Sequence, residues 1–180
     1  MKPSKRLMLS GALAMLVQWA PALVAAETKT PATGNPESAE TKVAQLESTC
    51  VARAQSTDQA AAPGKLFARL GGEARIHVIT REMVRLHLKS PALSGIVGKY
   101  NPDYLADILA RYLITATGGP TRYEGRPLNE THAHLHLTNA QFLAGGTDFA
   151  EAMRNVGATE ADTLDTMCLL IGLRSQIVQQ

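Results

Sequence analysis

From Lys65 onward the apolar residues recur at helical spacing, broken at intervals by glycine and proline. Leu66, Phe67 and Leu70 form a short apolar turn that Gly71-Gly72 stops. Ile76, Ile79, Met83 and Leu86 then share one face of a helix predicted over Glu73 to Leu88. Ser90-Pro91 ends it, because proline lacks an N–H and restricts the residue before it. Asn101-Pro102-Asp103 opens the next helix, with proline suited to a first turn. Its stripe is Leu105, Ile108, Leu109, Tyr112 and Leu113, and Gly118-Gly119-Pro120 stops it. A loop and a short helix carrying His132 follow. Thr138 is placed to cap a long helix with Phe142, Phe149 and Met153, although Gly145-Gly146 inside it weakens the pattern. Gly157 stops that helix, and Thr159 starts a last one with Leu164, Met167, Cys168 and Ile171. No segment alternates as a strand does. The pattern predicts an all-α domain over residues 65–180.

The first 64 residues read differently. Lys2, Lys5 and Arg6 precede an apolar run from Leu7 to Val24, and Val24-Ala25-Ala26 offers small residues for cleavage. Residues 1–26 therefore read as a secretory signal peptide, with a membrane anchor as the less favoured alternative. Residues 27–64 are rich in Thr, Ala, Pro, Ser, Gln and Glu and read as a mostly disordered linker, with room for a short helix around Ala39 to Ala54. Ala62-Pro63-Gly64 closes it. The expected localisation is periplasmic or secreted.

Cleavage changes the charge balance. The whole chain has 18 basic and 16 acidic side chains, and three of the basic ones lie in the first 26 residues. The mature chain is then near neutral, with no basic block to attract nucleic acid and no membrane segment. Its only tryptophan, Trp19, leaves with the signal peptide. Export puts Cys50 and Cys168 where disulfides persist, but linear sequence does not bring them together. The favoured expectation is two unpaired thiols, with Cys168 filling an apolar helix face.

His132, His134 and His136 are the densest group of metal-ligating side chains. On a helix His132 and His136 share a face, a spacing that also suits zinc. On a strand all three would share one. A metal site usually needs a third strong ligand and no obvious carboxylate or cysteine partner completes this set, so exposed histidines are the favoured reading.

Taken together, several marks resemble the group I truncated haemoglobins. They are Leu70-Gly71-Gly72, Thr117-Gly118-Gly119-Pro120, Tyr123-x-Gly125-Arg126, His132, and Phe142 ten residues on. The resemblance spans Leu66 to Leu173. It implies a shortened globin with four main helices packed two over two around a haem. It makes His132 the proximal iron ligand, with Leu128 and Phe142 beside the haem. The haem would be b-type and non-covalent, since no Cys-x-x-Cys-His occurs. Tyr123 and Arg126 would meet its propionates by hydrogen bond and charge.

The distal side departs from the family. Counting on from Gly71-Gly72, Val84 stands where a tyrosine is usual, and Met83 where an aromatic is. Val97 takes the place of the phenylalanine that packs on the haem face. Leu105 and Leu109 fill positions that often carry glutamine or another polar residue, and Leu113 lines the same face. The inferred pocket offers no side-chain donor, and weaker oxygen retention than in tyrosine-bearing relatives follows. Tyr112 is read as a core aromatic, with the haem edge as its alternative. His77 and His87 are read as surface residues. The resemblance thus implies an exported haem protein binding oxygen, nitric oxide or carbon monoxide, with an electron-donor reductase as a partner if it turns over. The alternatives are a haem-free globin scaffold serving as an interaction module, and a histidine-cluster metal binder.

Overall fold

The structure is a computed structural model that describes residues 37–55 and 65–179. The signal-peptide reading and the two ends of the linker reading, 27–36 and 56–64, lie outside the described residues. The described residues form nine α-helices. The main ones are α1 (Ala39–Gln55), α3 (Gly72–His87), α5 (Pro102–Ala116), α7 (Asn139–Asn155) and α8 (Glu160–Gly172). Short helices α2 (Lys65–Arg69), α4 (Ser94–Val97), α6 (Leu128–His132) and α9 (Arg174–Ile177) fill the connections. The one β feature described is an isolated parallel bridge between Leu137 and Val178.

Helix ends follow their local chemistry. The Asn101 side chain accepts from the Tyr104 N–H, with Pro102 in the first turn of α5. Thr138 and Gln141 form a reciprocal capping box on α7, and Thr159 accepts from the Asp162 N–H on α8. At the end of α5, Gly118 takes φ 86°, its N–H donates to Thr115, and the Gly119 N–H donates to Ile114 at 2.7 Å. The last carbonyls of α5 are thereby satisfied, and the chain turns back. Gly119 also lies under the Phe67 ring, where a Cβ would come within 2.6 Å of Phe67 and Ile114.

α3 packs on both α5 and α7, and α7 packs on α8. This gives the two helix pairs their common core of Leu70, Ile76, Ile79, Met83, Ala110, Leu113, Ile114, Phe149, Ala152 and Met153. α7 runs unbroken through Gly145-Gly146. A Cβ on Gly146 would stand 3.0 Å from the Met167 methyl of α8, so the small residue is what lets the two helices approach.

The short helix for which the linker leaves room around Ala39 to Ala54 is present as the 17-residue Ala39–Gln55, and it packs on α8 and α7. Its packing was not legible in the composition, because Val43 is its only buried residue. What binds it is a disulfide from Cys50 to Cys168, with Cα atoms 5.3 Å apart, and this corrects the expectation of unpaired thiols. Polar ties surround the disulfide. Arg53 meets Asp165 at 2.5 Å, Arg69 meets Asp162 at 2.6 Å and also pairs with Asp165, and Arg174 meets Glu47 at 3.0 Å. The helix α1 accordingly belongs to one compact unit with residues 65–179.

Candidate functional site

The loop before α6 is held by interlocking side chains. Thr115 Oγ1 donates to the Thr121 carbonyl at 2.7 Å and accepts from the Tyr123 N–H at 2.7 Å, which pins the loop to α5. Tyr123 lays its ring over Gly125, where a Cβ would come within 2.2 Å of the phenol oxygen. Its hydroxyl donates to the Arg126 carbonyl at 3.0 Å. Tyr123 and Gly125 are therefore one steric unit, and the glycine is there to make room for the ring. Tyr112 of α5 meets Tyr123 edge-on, ring centroids 5.2 Å apart. Burial, and then Tyr123, push the Tyr112 phenol pKa up.

α6 begins after Pro127 and delivers His132 at its end. The His132 ring is half-buried, and its Nδ1 lies 2.8 Å from the Leu128 carbonyl oxygen, one helical turn back. A carbonyl only accepts, so this hydrogen bond requires the proton on Nδ1. The lone pair is then on Nε2, and the ring is held in one orientation. Thr131 Oγ1 donates to the same carbonyl at 3.0 Å and lies 3.2 Å from Nδ1, bracing the ring. Sequence reading found His132 but not the carbonyl that sets its tautomer. The four-residue step from Leu128 to His132 was the available signal.

The other two histidines diverge from it. The α-helix stops at His132, a 3-10 turn covers Ala133–Leu135, and His136 takes the left-handed conformation with φ 47°. Neither the helical nor the extended spacing that would align the three therefore exists. His134 and His136 are exposed, and His134 Nε2 lies 3.4 Å from the Tyr100 hydroxyl. Among the described residues no group of three or more His, Cys, Asp or Glu side chains is arranged to hold a metal ion. The histidine-cluster metal binder is set aside on this geometry.

The remaining site positions fall on five helices and on the loop before α6. Met83 and Val84 of α3 are buried, as is Leu113 of α5. Met83 and Leu113 belong to the core, with Leu109 packed against it. Leu105, Leu109, Val97, Leu128 and Phe142 are apolar and only half-buried. Arg126 is largely exposed, with Glu130 at 3.8 Å as its ion partner. No buried side-chain nitrogen or oxygen among the described residues lacks a hydrogen-bond partner. Thr80, one turn before Val84, donates to the His77 carbonyl at 3.3 Å.

His87 corrects its surface reading. Its Nδ1 lies 2.9 Å from Asp148 Oδ2 on α7, and both side chains are largely covered. Burial pushes the imidazole pKa down, against the hydrogen bond and charge of Asp148. His87 lies four residues on from Met83, and so on its face of α3 rather than turned away from it.

The chain can be set beside known proteins on this geometry. The family model described as bacterial-like globin matches residues 65–179. A group 1 truncated haemoglobin of Nostoc sp. (strain MUN 8820) is 25% identical over 115 residues, covering 64% of this chain and 98% of the relative. One from Tetrahymena pyriformis is 23% identical over 99 residues, covering 55% and 82%. The crystal structure of the Tetrahymena pyriformis truncated haemoglobin in its Fe(III) form superposes with a TM-score of 0.61 at 20% identity, covering 64% of this chain and 98% of that one. Chlamydomonas reinhardtii THB1 gives 0.56 at 19% identity, covering 66% and 100%. The helix order and the match over residues 65–179 agree: this chain belongs to the bacterial-like globin family, as a distant relative of the group 1 truncated haemoglobins.

Proposed function

We propose that this protein is an exported, non-covalent haem protein that binds a diatomic gas at an iron held by His132 Nε2. Membership of the family implies haem and a diatomic ligand. The observation that carries the site assignment is the 2.8 Å contact from His132 Nδ1 to the Leu128 carbonyl. It leaves a neutral, oriented imidazole with a basic Nε2, the donor a haem iron requires. The half-buried apolar side chains suit a flat, largely apolar group as its walls: Val97, Leu105, Leu109, Leu128 and Phe142. When bound, haem would supply the iron that takes the gas, with His132 Nε2 as the protein's donor to it.

The chain's own residues decide what the gas meets. Val84, Met83, Leu105 and Leu109 offer no N–H or O–H, so a polarised ligand finds no side-chain donor there. Oxygen should leave faster than from tyrosine-bearing relatives, and carbon monoxide should be less affected. Arg126, exposed and loosely paired, and Tyr123 are the candidates to meet the propionates. Turnover chemistry would require an electron-donor reductase as partner.

Export draws support from two independent features: the signal-like pattern of residues 1–26 and the Cys50–Cys168 disulfide, a bond that persists in oxidising compartments. The test is to express the full chain and recover it from the periplasm. The expected product lacks Trp19 fluorescence and carries one b-type haem per chain as its pyridine haemochrome. Cytosolic, haem-free protein that keeps its tryptophan would contradict the proposal.

A further inference from the structure

The disulfide reaches the His132 region through a continuous set of contacts. α1 lies outside residues 65–179 that match the globin family, and it buries one apolar side chain. Its attachment therefore rests on the Cys50–Cys168 bond and on polar contacts. Arg53 meets Asp165 and donates to the Ala161 carbonyl at 3.2 Å. Glu47 of α1 accepts from Arg174 Nε at 3.0 Å, and Arg174 Nη1 donates to Asn139 Oδ1 at 3.1 Å. Asn139 is buried and is the first residue of α7. Four residues after Arg174, Val178 pairs with Leu137, and the Gln179 N–H donates to the Leu137 carbonyl at 3.1 Å. The C-terminal segment thus closes over the stretch that joins His132 to α7, and Arg174 fastens its base to α1.

We propose that Cys50–Cys168 is a redox-operated latch on the proximal side of the site. Both cysteines are half-buried rather than sealed in the core, so a thiolate can approach. A dithiol reductant attacks one sulfur, forms a mixed disulfide, and is released as its own disulfide by its second thiol. The chain gains two electrons and two protons and is left with two thiols. Freed of the covalent tie, α1 has only a single buried side chain and partly exposed polar contacts to hold it, too little to keep it docked. Glu47 then no longer holds Arg174, and the Leu137–Asn139 segment loosens behind His132. Reduction lowers haem retention by this route, an effect that rests on the haem reading of the site.

Amide hydrogen exchange on the haem-free protein reads the latch without haem. Reduction should speed exchange at Val178 and Gln179 by about tenfold or more. In the haem-loaded protein, reduction should speed haem transfer to a scavenging apoglobin by a similar factor. Arg174→Ala with the disulfide intact should reproduce the reduced behaviour and leave little further response to reductant. A Cys50→Ser/Cys168→Ser protein should behave as reduced protein whatever the reductant. Equal exchange at Val178 and Gln179 in both redox states would overturn the latch. Failure to bind haem in either state would overturn the haem reading instead, and exchange in the haem-free protein would still decide the latch.

Discussion

A histidine offers iron a lone pair on whichever nitrogen does not carry its proton, and at His132 the Leu128 carbonyl makes that choice. On the proposed reading the distal side is an equally local matter, because Val84 carries no donor. Introducing one tests this directly. In Val84→Tyr the new hydroxyl should slow oxygen dissociation by roughly tenfold, a net hydrogen bond of about 1–2 kcal/mol. Carbon monoxide dissociation should move less, and stopped-flow displacement measures both. An unchanged oxygen rate would mean that Val84 does not face the ligand. His87 makes a different prediction. Burial holds its folded pKa below the usual imidazole value near 6.5, so the unfolded chain takes up the proton first. Stability should therefore be greatest above about pH 6.5 and fall as the pH drops from there towards the folded pKa. In His87→Gln the melting temperature should lose this part of its pH dependence.

At the scale of elements, the Tyr123–Gly125 loop and the α3–α7 contact carry the sharpest expectations. Gly125→Ala sets a methyl against the Tyr123 phenol and should cost about 1–3 kcal/mol, read as a lower denaturant midpoint. Glu82 accepts from Arg85 on its own helix and from Asn155 Nδ2 of α7 at 2.8 Å. Arg85 first, then Asn155, bring its carboxyl down to about 2. The resulting stability is fully present above the ordinary carboxyl value and is lost as the pH falls towards about 2. Glu82→Gln should flatten the melting curve over that acid range. These elements were legible to different degrees. The helices α3, α5, α7 and α8 announce themselves because glycine, proline and capping residues punctuate clean apolar stripes. The helix α1 shows in the sequence only as room for a short helix, and its docking does not show at all, because a covalent bond holds it where an apolar face normally would. The fate of the three histidines was equally hidden. Nothing in their spacing shows that the helix ends at His132 and that His136 turns left-handed.

At the scale of the whole molecule, a bond spanning 118 residues ties the first described helix to the last long one. Chain-entropy arguments put such a crosslink at up to about 5 kcal/mol. The reduced protein should melt well below the oxidised one, which differential scanning calorimetry with and without reductant will measure. The site itself needs distant parts of the chain at once: Val84 from α3, Leu105 and Leu109 from α5, and His132 from α6. Sequence could name these residues through their resemblance to a family, whereas the carbonyl that orients the His132 ring and the contacts that pin the loop before it emerge only in three dimensions. The central claim is that His132 binds haem iron. Its most direct test is a haemin titration of the mature protein, followed by visible absorption, beside His132→Ala. Haem held by His132 should give a sharp Soret band with a one-to-one endpoint, lost or displaced in the variant. Weak, broad and identical spectra from the two proteins would contradict it.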